Sequence, residues 1–246
     1  RMRCGKQRRS KLTQANPAPS RATARMPLNN KAVRAAARAP GPESPSKGLI
    51  RQTNEALILL AAEKVFARAG FGGATMAAIS EGSGLPKANL HYYFGSKDVL
   101  YRAVLARILN DWLVPTHGIT KDAEPRVALE EYIRAKMTLS AERPDGSKVF
   151  ANEMLHGAPV VKTILETDLR HLVEAKAAVV QAWVYAGRMA AVDPVHLFFT
   201  IWAATQTYAD FDVQVSSVLG TESLGPKDYA RATEHVVALI LRGCGL

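Results

Sequence analysis

The sequence has little cysteine and no membrane-length apolar run. Cys4 and Cys244 lie at opposite ends of the 246 residues, which predicts neither a disulfide framework nor a zinc knuckle and is typical of a reducing compartment. Charged or polar residues interrupt every stretch before it reaches the roughly 18 apolar residues of a membrane-spanning helix. The basic amino terminus lacks the apolar stretch of a secretory signal. We therefore expect a cytoplasmic protein with no membrane partner.

The residue patterns of catalysis are also missing. The six histidines form no metal-type pair at helical spacing. The nearest approach is Asp168 with His171, which a solvated helix face explains. No glycine-rich phosphate loop or serine elbow is present, and Glu130 and Glu131 are adjacent, so they would point to different sides of a helix. These absences predict a protein that is not an enzyme and has no metal site and no cofactor.

Positive charge is abundant but concentrated at one end. The formal net charge is +10, yet residues 1–50 hold twelve basic residues and one acid, Glu43. The rest of the chain is therefore close to neutral. Basic charge alone gives no reason to assign nucleic-acid binding to the globular part, so that assignment must come from a motif.

Residues 1–46 predict a disordered basic tail. They are rich in Arg, Ala, Pro and Ser, show no apolar periodicity, and end in the breaker-dense run 39–46. A basic arm could add salt-sensitive affinity for phosphates. The alternative, which we favour, is a solvated tail or sequence upstream of a start at Met26.

From Leu49 onward the apolar periodicity is helical, with no alternating strand pattern. The first helix runs through Ala69, and Gly70 can close it in a left-handed conformation. After two short helices, Ser96 opens a longer one that reaches about Val114. Further helices are expected at about 125–141, 145–156, 159–187, 194–218 and 226–243, with stops at glycine and proline pairs. The pattern predicts an all-α fold.

The most informative segment runs from Thr75 to Phe94. Thr75 can cap a short helix by accepting its free backbone N–H groups. Gly82 and Gly84 permit a tight reversal, and Pro86 begins a second short helix where its missing N–H costs nothing. Two short helices crossing through such a turn are the helix-turn-helix geometry, in which the second helix enters the major groove of DNA.

The polar residues of this segment suit DNA. Lysine pairs with phosphate or guanine, asparagine with a base edge or phosphate, and tyrosine or histidine with the backbone. The candidate DNA-binding residues are Thr75, Lys87, Ala88, Asn89, His91, Tyr92 and, on the next helix, the phosphate clamp Lys97. The alternative is a helical hairpin inside a larger bundle. Three consecutive aromatics ending at Phe94 exceed what so small a core needs, which favours DNA binding.

Residues 51–113 resemble the DNA-binding domain of the TetR family of bacterial repressors. The resemblance lies in Phe66, Gly70-Phe71, Thr75, Ile79, Gly84, Asn89-Leu90, Tyr92-Tyr93-Phe94, Ser96-Lys97 and Leu100. Gly82, Pro86 and His91 depart from the usual family residues, and these departures concern the operator sequence rather than the fold.

The resemblance implies a three-helix helix-turn-helix domain at 47–95 and a larger helical effector-binding and dimerisation domain at 96–246, connected by helix 96–114. It also implies a homodimer on a pseudo-palindromic double-stranded operator. We expect the interface on helices 194–218 and 226–243, from Val195, Phe198, Phe199, Val213, Val218, Val236, Val237, Leu239 and Ile240.

The larger domain resembles one branch of the family, the regulators of pyrimidine utilisation, which sense uracil and thymine. The similar segments are 111–115, 131–134, 152–159 and 201–211. By this resemblance Trp112, Trp202 and Gln206 are ligand contacts, with Thr205, Tyr208 and Asn152 as lesser candidates. A pyrimidine dione needs an apolar slot and a side chain that both donates and accepts hydrogen bonds, as the amide of glutamine does. Without the resemblance, buried tryptophans are more often core.

The leading hypothesis is therefore a repressor of pyrimidine or related nitrogen metabolism that a small effector releases from its operator. Two alternatives remain at this stage. One is a TetR-like repressor of another pathway with an apolar or cationic effector. The other is a protein-interaction module that reuses the helical scaffold without binding DNA.

Overall fold

The computed structural model describes residues 47–246, so the predicted tail at 1–46 lies outside the described residues. Every regular element in this part is helical, which confirms the all-α expectation. The helices are α1 (Lys47–Gly73), α2 (Met76–Ser83), α3 (Lys87–Phe94), α4 (Lys97–Leu113), α5 (Pro125–Glu142), α6 (Pro144–Leu155), α7 (Lys162–Ile164), α8 (Arg170–Tyr185), α9 (Pro194–Asp210), α10 (Asp212–Leu219) and α11 (Pro226–Gly243). Between residues 47 and 246, no helix has the length and apolarity to cross a bilayer.

Local signals start several helices where the sequence predicts them. The Thr75 hydroxyl accepts a hydrogen bond from the Ala78 N–H at 3.1 Å, and the Ser96 hydroxyl accepts one from the Val99 N–H at 3.3 Å. Both caps satisfy donors that the first helical turn leaves free. Pro125 begins α5, as the sequence predicts. These starts depend on neighbouring residues only, which is why the sequence reveals them.

Two of the expected long helices are interrupted. The helix expected over 159–187 starts late, at Lys162, and contains a π-helical turn. The chain first turns through the predicted stop at Gly157 and Ala158, whose φ angles are 85° and 55°. It then forms α7, a π-helical turn (Leu165–Leu169) and α8. The helix expected over 194–218 breaks at Phe211, whose backbone at φ −119°, ψ 35° separates α9 from α10.

The glycines of the first domain differ from expectation in two places. Gly70 has φ 66° and ψ 174°, so it kinks α1 instead of closing it in the left-handed helical region. Gly82 lies inside α2, and the reversal belongs to Gly84 alone, at φ 68° and ψ 10°. A side chain at Gly84 would be strained, since L-residues rarely adopt that conformation.

The described chain has two hydrophobic cores. The first core is formed by the four helices α1, α2, α3 and α4 together with α6. Its fully buried residues include Ile58, Phe66, Ile79, Leu90, Leu105 and Val149. The second joins α5, α8, α9 and α11 and includes Leu129, Tyr132, Trp183, Phe198, Ile201 and Val236. Each such side chain stabilises the fold by about 1.5–3 kcal/mol. Because α6 belongs to the first core, it attaches the larger predicted domain directly to α1 and α4.

Four residues expected at a dimer interface lie in the second core instead. They are Phe198, Val236, Val237 and Ile240, and each is less than 10% exposed. The apolar stripe of α11 faces α5 and α9 of its own chain, a packing partner that periodicity cannot distinguish from a second protomer. Val195 is half-buried. The expected residues that stay exposed are Phe199, Val213, Val218 and Leu239.

Candidate DNA-binding surface and ligand pocket

Helix α3 is anchored on one face and free on the other. Leu90 is fully buried, and the Tyr93 hydroxyl accepts a hydrogen bond from Asn54 Nδ2 of α1 at 3.1 Å. On the opposite face Tyr92 is 76% exposed. A short helix that keeps its polar residues in solvent while its other face is fixed is suited to enter a groove.

The other predicted DNA-binding residues surround Tyr92. Lys87, Ala88 and His91 are exposed, and Asn89 is half-buried. The His91 ring nitrogen Nδ1 lies 2.9 Å from the Gly95 carbonyl oxygen, so one side of this imidazole is already bonded within the helix end. Thr75 is exposed as well, although its hydroxyl caps α2.

The turn between α2 and α3 is fixed by side-chain hydrogen bonds. The Ser80 hydroxyl donates to the Leu85 carbonyl at 2.7 Å, and the Ser83 hydroxyl donates to the Ser80 carbonyl at 3.1 Å. Together with the left-handed Gly84, these bonds set the angle at which α3 leaves α2. The serines were not among the predicted functional residues, because their role is to position the helix.

Lys97 has an internal role that the sequence did not indicate. Its ammonium donates to the Phe71 carbonyl at 2.7 Å and to the Ala74 carbonyl at 3.0 Å, and it lies 4.5 Å from the centre of the Phe71 ring. Two of its three N–H groups therefore hold the link between α1 and α2. One N–H is left for a phosphate, so its contact with DNA stays a prediction.

We expect Lys97→Met to destabilise the protein by about 1–2 kcal/mol, because two carbonyls lose a charged donor. Urea unfolding followed by circular dichroism measures this change. Lys64→Met is the matched control, since Lys64 is an exposed lysine of α1 with no ion pair or side-chain hydrogen bond in the described chain. Equal unfolding midpoints for Lys97→Met and wild type would contradict the internal role.

Three of the six predicted ligand residues converge in one cavity. Trp112 of α4 meets Trp202 and Gln206 of α9 around a small space of about 40 Å³. The Trp112 ring packs edge-on against Phe150 with centroids 4.9 Å apart. The Trp202 indole N–H donates to the Tyr132 hydroxyl at 2.7 Å. The remaining lining residues are Leu109, Leu113, Lys136 and Leu169.

The other three predicted ligand residues lie elsewhere. Thr205 is fully buried, and its hydroxyl donates to the Ile201 carbonyl at 2.8 Å, so it faces its own helix. Asn152 lines a separate cavity beside Tyr101 and Glu153. Tyr208 lines a groove between α10 and α11. Thr205 and Tyr208 are only one and two residues from Gln206, so they lie on other faces of α9, and Asn152 belongs to α6.

Lys136 is the lining residue that the sequence prediction missed. It is 2% exposed, and its Nζ lies 4.0 Å from the centre of the Trp112 ring. Within residues 48–246 no group accepts a hydrogen bond from this ammonium. Burial lowers the pKa of Lys136 to about 7, against the opposing effect of the Asp210 charge. The sequence did contain a signal for this burial, because Lys136 lies one helical turn after Tyr132 on the apolar face of α5.

The described part of the chain contains no candidate metal site. Among residues 47–246, no three or more His, Cys, Asp or Glu side chains are grouped so as to hold a metal ion. The pocket instead combines four aromatic side chains with one amide and one ammonium. Such a set offers flat apolar surfaces beside hydrogen-bond donors, which suits a small planar molecule that carries hydrogen-bond acceptors.

A helix-turn-helix beside a helical domain with an internal pocket defines a class of transcriptional regulators, and comparison with known proteins identifies that class. The profile described as "Bacterial regulatory proteins, tetR family" matches residues 58–104, and the profile "YcdC-like protein, C-terminal region" matches residues 105–246. The chain belongs to the TetR family of DNA-binding transcriptional regulators, and it is not an enzyme.

Within that family the chain is similar to one particular regulator. It is 42% identical to the HTH-type transcriptional regulator RutR of Escherichia coli K12 over 186 residues, which cover 76% of this chain and 88% of that protein. The aligned length spans both the helix-turn-helix and the larger domain, which agrees with the resemblance found in the sequence.

Solved structures share the fold at low sequence identity. The ketosteroid transcriptional regulator KstR2 of Mycobacterium tuberculosis has a TM-score of 0.61 and 16% identity, covering 78% of this chain and 94% of that chain. AibR, solved in complex with isovaleryl coenzyme A and operator DNA, has a TM-score of 0.59 and 14% identity, covering 76% and 98%. At such identities the likeness establishes architecture.

Proposed function

We propose that the chain is an operator-binding repressor, and that a uracil-type pyrimidine in the pocket releases it from DNA. The observation that carries the proposal is the buried ammonium of Lys136, which has no hydrogen-bond acceptor among residues 48–246 and shares a small aromatic cavity with the Gln206 amide. A buried charge without a partner is destabilising. It is retained where a ligand supplies the missing acceptor.

The chemistry of a pyrimidine dione matches this set of groups. Its two carbonyl oxygens accept hydrogen bonds, which the Lys136 ammonium and the Gln206 NH₂ donate. Its N–H groups donate, and the Gln206 carbonyl accepts. The flat ring is larger than the cavity of about 40 Å³ that Trp112 and Trp202 line, so the proposal requires the lining side chains to move apart when the ligand binds. RutR similarity supports the same class of ligand.

The same geometry disfavours the alternative effectors. A cationic compound would meet the charge of Lys136 at close range. A long acyl or steroid-like compound would not fit the cavity of about 40 Å³ without a large rearrangement of the helices. The chain belongs to a family of DNA-binding regulators, so the alternative of a protein-interaction module that does not bind DNA has no remaining support.

A homodimer is part of this proposal, since regulators of the family form dimers. The exposed apolar residues of α10 and α11 support an interface there. Val213 is 74% exposed, Val218 is 81% exposed and Leu239 is 61% exposed. Burying such side chains against a second copy would remove apolar surface from water and space two α3 helices for successive major grooves.

Isothermal calorimetry with uracil and thymine tests the ligand. We expect both to bind the wild type, and Gln206→Ala to weaken binding about tenfold, the effect of one or two lost hydrogen bonds. Gln181→Ala, on α8 and outside the pocket lining, should bind like the wild type. Absence of binding heat from both pyrimidines with the wild type would refute the effector assignment.

A further inference from the structure

One arginine joins three helices at the boundary between the two cores. Arg143 follows the last residue of α5 and precedes Pro144, the first residue of α6. Its Nη2 lies 2.5 Å from Glu63 Oε2, and its Nε donates to Glu63 Oε1 at 3.3 Å. Its Nη1 donates to Asp111 Oδ2. We call this group the Arg143 bridge.

The partners of the bridge belong to different functional parts. Glu63 lies on α1, whose side chains pack against the helix-turn-helix. Asp111 lies on α4, directly before the pocket residue Trp112. The third part is α5, which carries Lys136 two helical turns before Arg143. The bridge therefore contacts α1 and both of the helices that supply these pocket residues.

Burial makes the bridge an all-or-none contact. Glu63 is 3% exposed, so its carboxylate depends on the guanidinium for its hydrogen bonds and charge compensation. A β-carbon built at Gly146 would lie 3.0 Å from Glu63 Oε1, so the glycine lets α6 pass closely over the carboxylate. A shift of α1 relative to α6 must keep the paired geometry or lose it.

We infer that Arg143 is the positioning residue that transmits ligand binding from the pocket to the DNA-reading helices. Ligand contact moves Trp112 and Lys136, and the ends of α4 and α5 move with them. Arg143 then pulls on, or releases, Glu63 and with it α1. This inference rests on the proposed function for the nature of the ligand, but the bridge itself is defined by the structure alone.

The geometry requires arginine. The planar guanidinium donates two bonds to one carboxylate and a third to another, whereas a lysine ammonium is a single point of charge on a flexible stem. Arg143→Lys therefore keeps the charge and loses the simultaneous grip on Glu63 and Asp111. Asp111→Asn keeps the shape and loses the charge on the partner nearest the pocket, at a side chain that is 30% exposed and also lies 3.9 Å from Arg107 Nε.

The first experiment measures operator affinity by fluorescence anisotropy with and without saturating uracil, using the full chain and its own upstream DNA. We expect the uracil-induced fall in operator affinity to shrink at least tenfold in Arg143→Lys and in Asp111→Asn, while calorimetry shows unchanged uracil affinity. The double variant should lose no more than either single one, because both break the same connection.

The matched control is Arg134→Lys. Arg134, which lies within α5, also bonds two carboxylates, Glu130 at 2.8 Å and Glu234 of α11 at 2.6 Å, but these partners lie outside α1 and α4. Its uracil response should equal that of the wild type. A wild-type response to uracil together with an equal response in Asp111→Asn would overturn the role of the bridge and leave the pocket assignment intact.

A second arm needs no effector. Coupling between two sites is reciprocal, so operator DNA alone should slow hydrogen exchange of the amides around Trp112 in the wild type. Asp111→Asn should lose this protection and Arg134→Lys should keep it. If the wild type ignores uracil, the pocket assignment fails and this arm still decides the bridge. Protection that is absent in the wild type, or unchanged in Asp111→Asn, overturns the inference.

Discussion

Replacing both Lys87 and Tyr92 by alanine is expected to lower operator affinity at least a hundredfold while the protein stays folded. Both side chains project from α3 into solvent, and Tyr92 is 76% exposed. Hydrogen bonds to charged phosphates contribute about 1.5–3 kcal/mol each. A dimer loses each contact twice, so about 100-fold is a lower bound at moderate salt, where phosphate contacts dominate affinity.

Anisotropy titrations at several salt concentrations measure this loss. The slope of affinity against salt should also become shallower, because a phosphate-contacting lysine is removed from each protomer. The control variant carries Lys162→Ala and Tyr185→Ala, an exposed lysine and a tyrosine that is 84% exposed, both in the larger domain. It should bind DNA normally. Wild-type affinity in the Lys87 and Tyr92 variant would exclude α3 as the reading helix.

The helices could be predicted where their boundaries are local. Thr75, Ser96 and Pro125 mark starts through their own chemistry, and the structure begins helices directly at or after them. The sequence marks the stop at Gly157–Ala158, but it does not show that the next helix begins only at Lys162, after a turn held by a buried carboxylate. Glu153 accepts the backbone N–H of Val160 at 2.6 Å. A pattern of apolar residues does not indicate such an acceptor.

The ligand site could be predicted in part for a similar reason. Trp202 and Gln206 are one helical turn apart, so they share a face by spacing alone. Trp112 came from resemblance to a family branch. Lys136 was missed because lysine on an amphipathic helix is normally taken as solvent-exposed. The convergence of α4, α5 and α9 around it is a tertiary feature.

Replacing Lys136 by methionine should have opposite effects on stability and on function. Burial lowers the Lys136 pKa from 10.5 to about 7, and each unit of such a shift corresponds to about 1.4 kcal/mol. Methionine fills similar space without a charge. After allowing for the lost cation–π contact with Trp112, we expect the unliganded protein to gain about 2 kcal/mol and several degrees of melting temperature.

The stability of the wild type should depend on pH because of Lys136. Between pH 7 and pH 10.5 the unfolded chain holds the Lys136 proton and the folded chain has released it, so wild-type stability rises with pH in this window. Lys136→Met should lack that rise. Urea titrations at pH 6, 8 and 9 on both proteins measure it, and identical pH profiles would contradict an ammonium buried without a partner.

Loss of function should accompany this gain in stability. In the complex that we propose, the charged form of Lys136 donates to a ligand carbonyl, so uracil affinity of the wild type should fall as pH rises through about 7. Lys136→Met should bind uracil about 10- to 100-fold more weakly at every pH, because it lacks a charged hydrogen-bond donor. Lys148→Met removes a lysine that pairs with Asp212 outside the pocket and should leave uracil affinity unchanged. A variant that is more stable yet binds uracil normally would show that Lys136 belongs to packing alone, and the effector would then have to be held by Gln206 and the indoles.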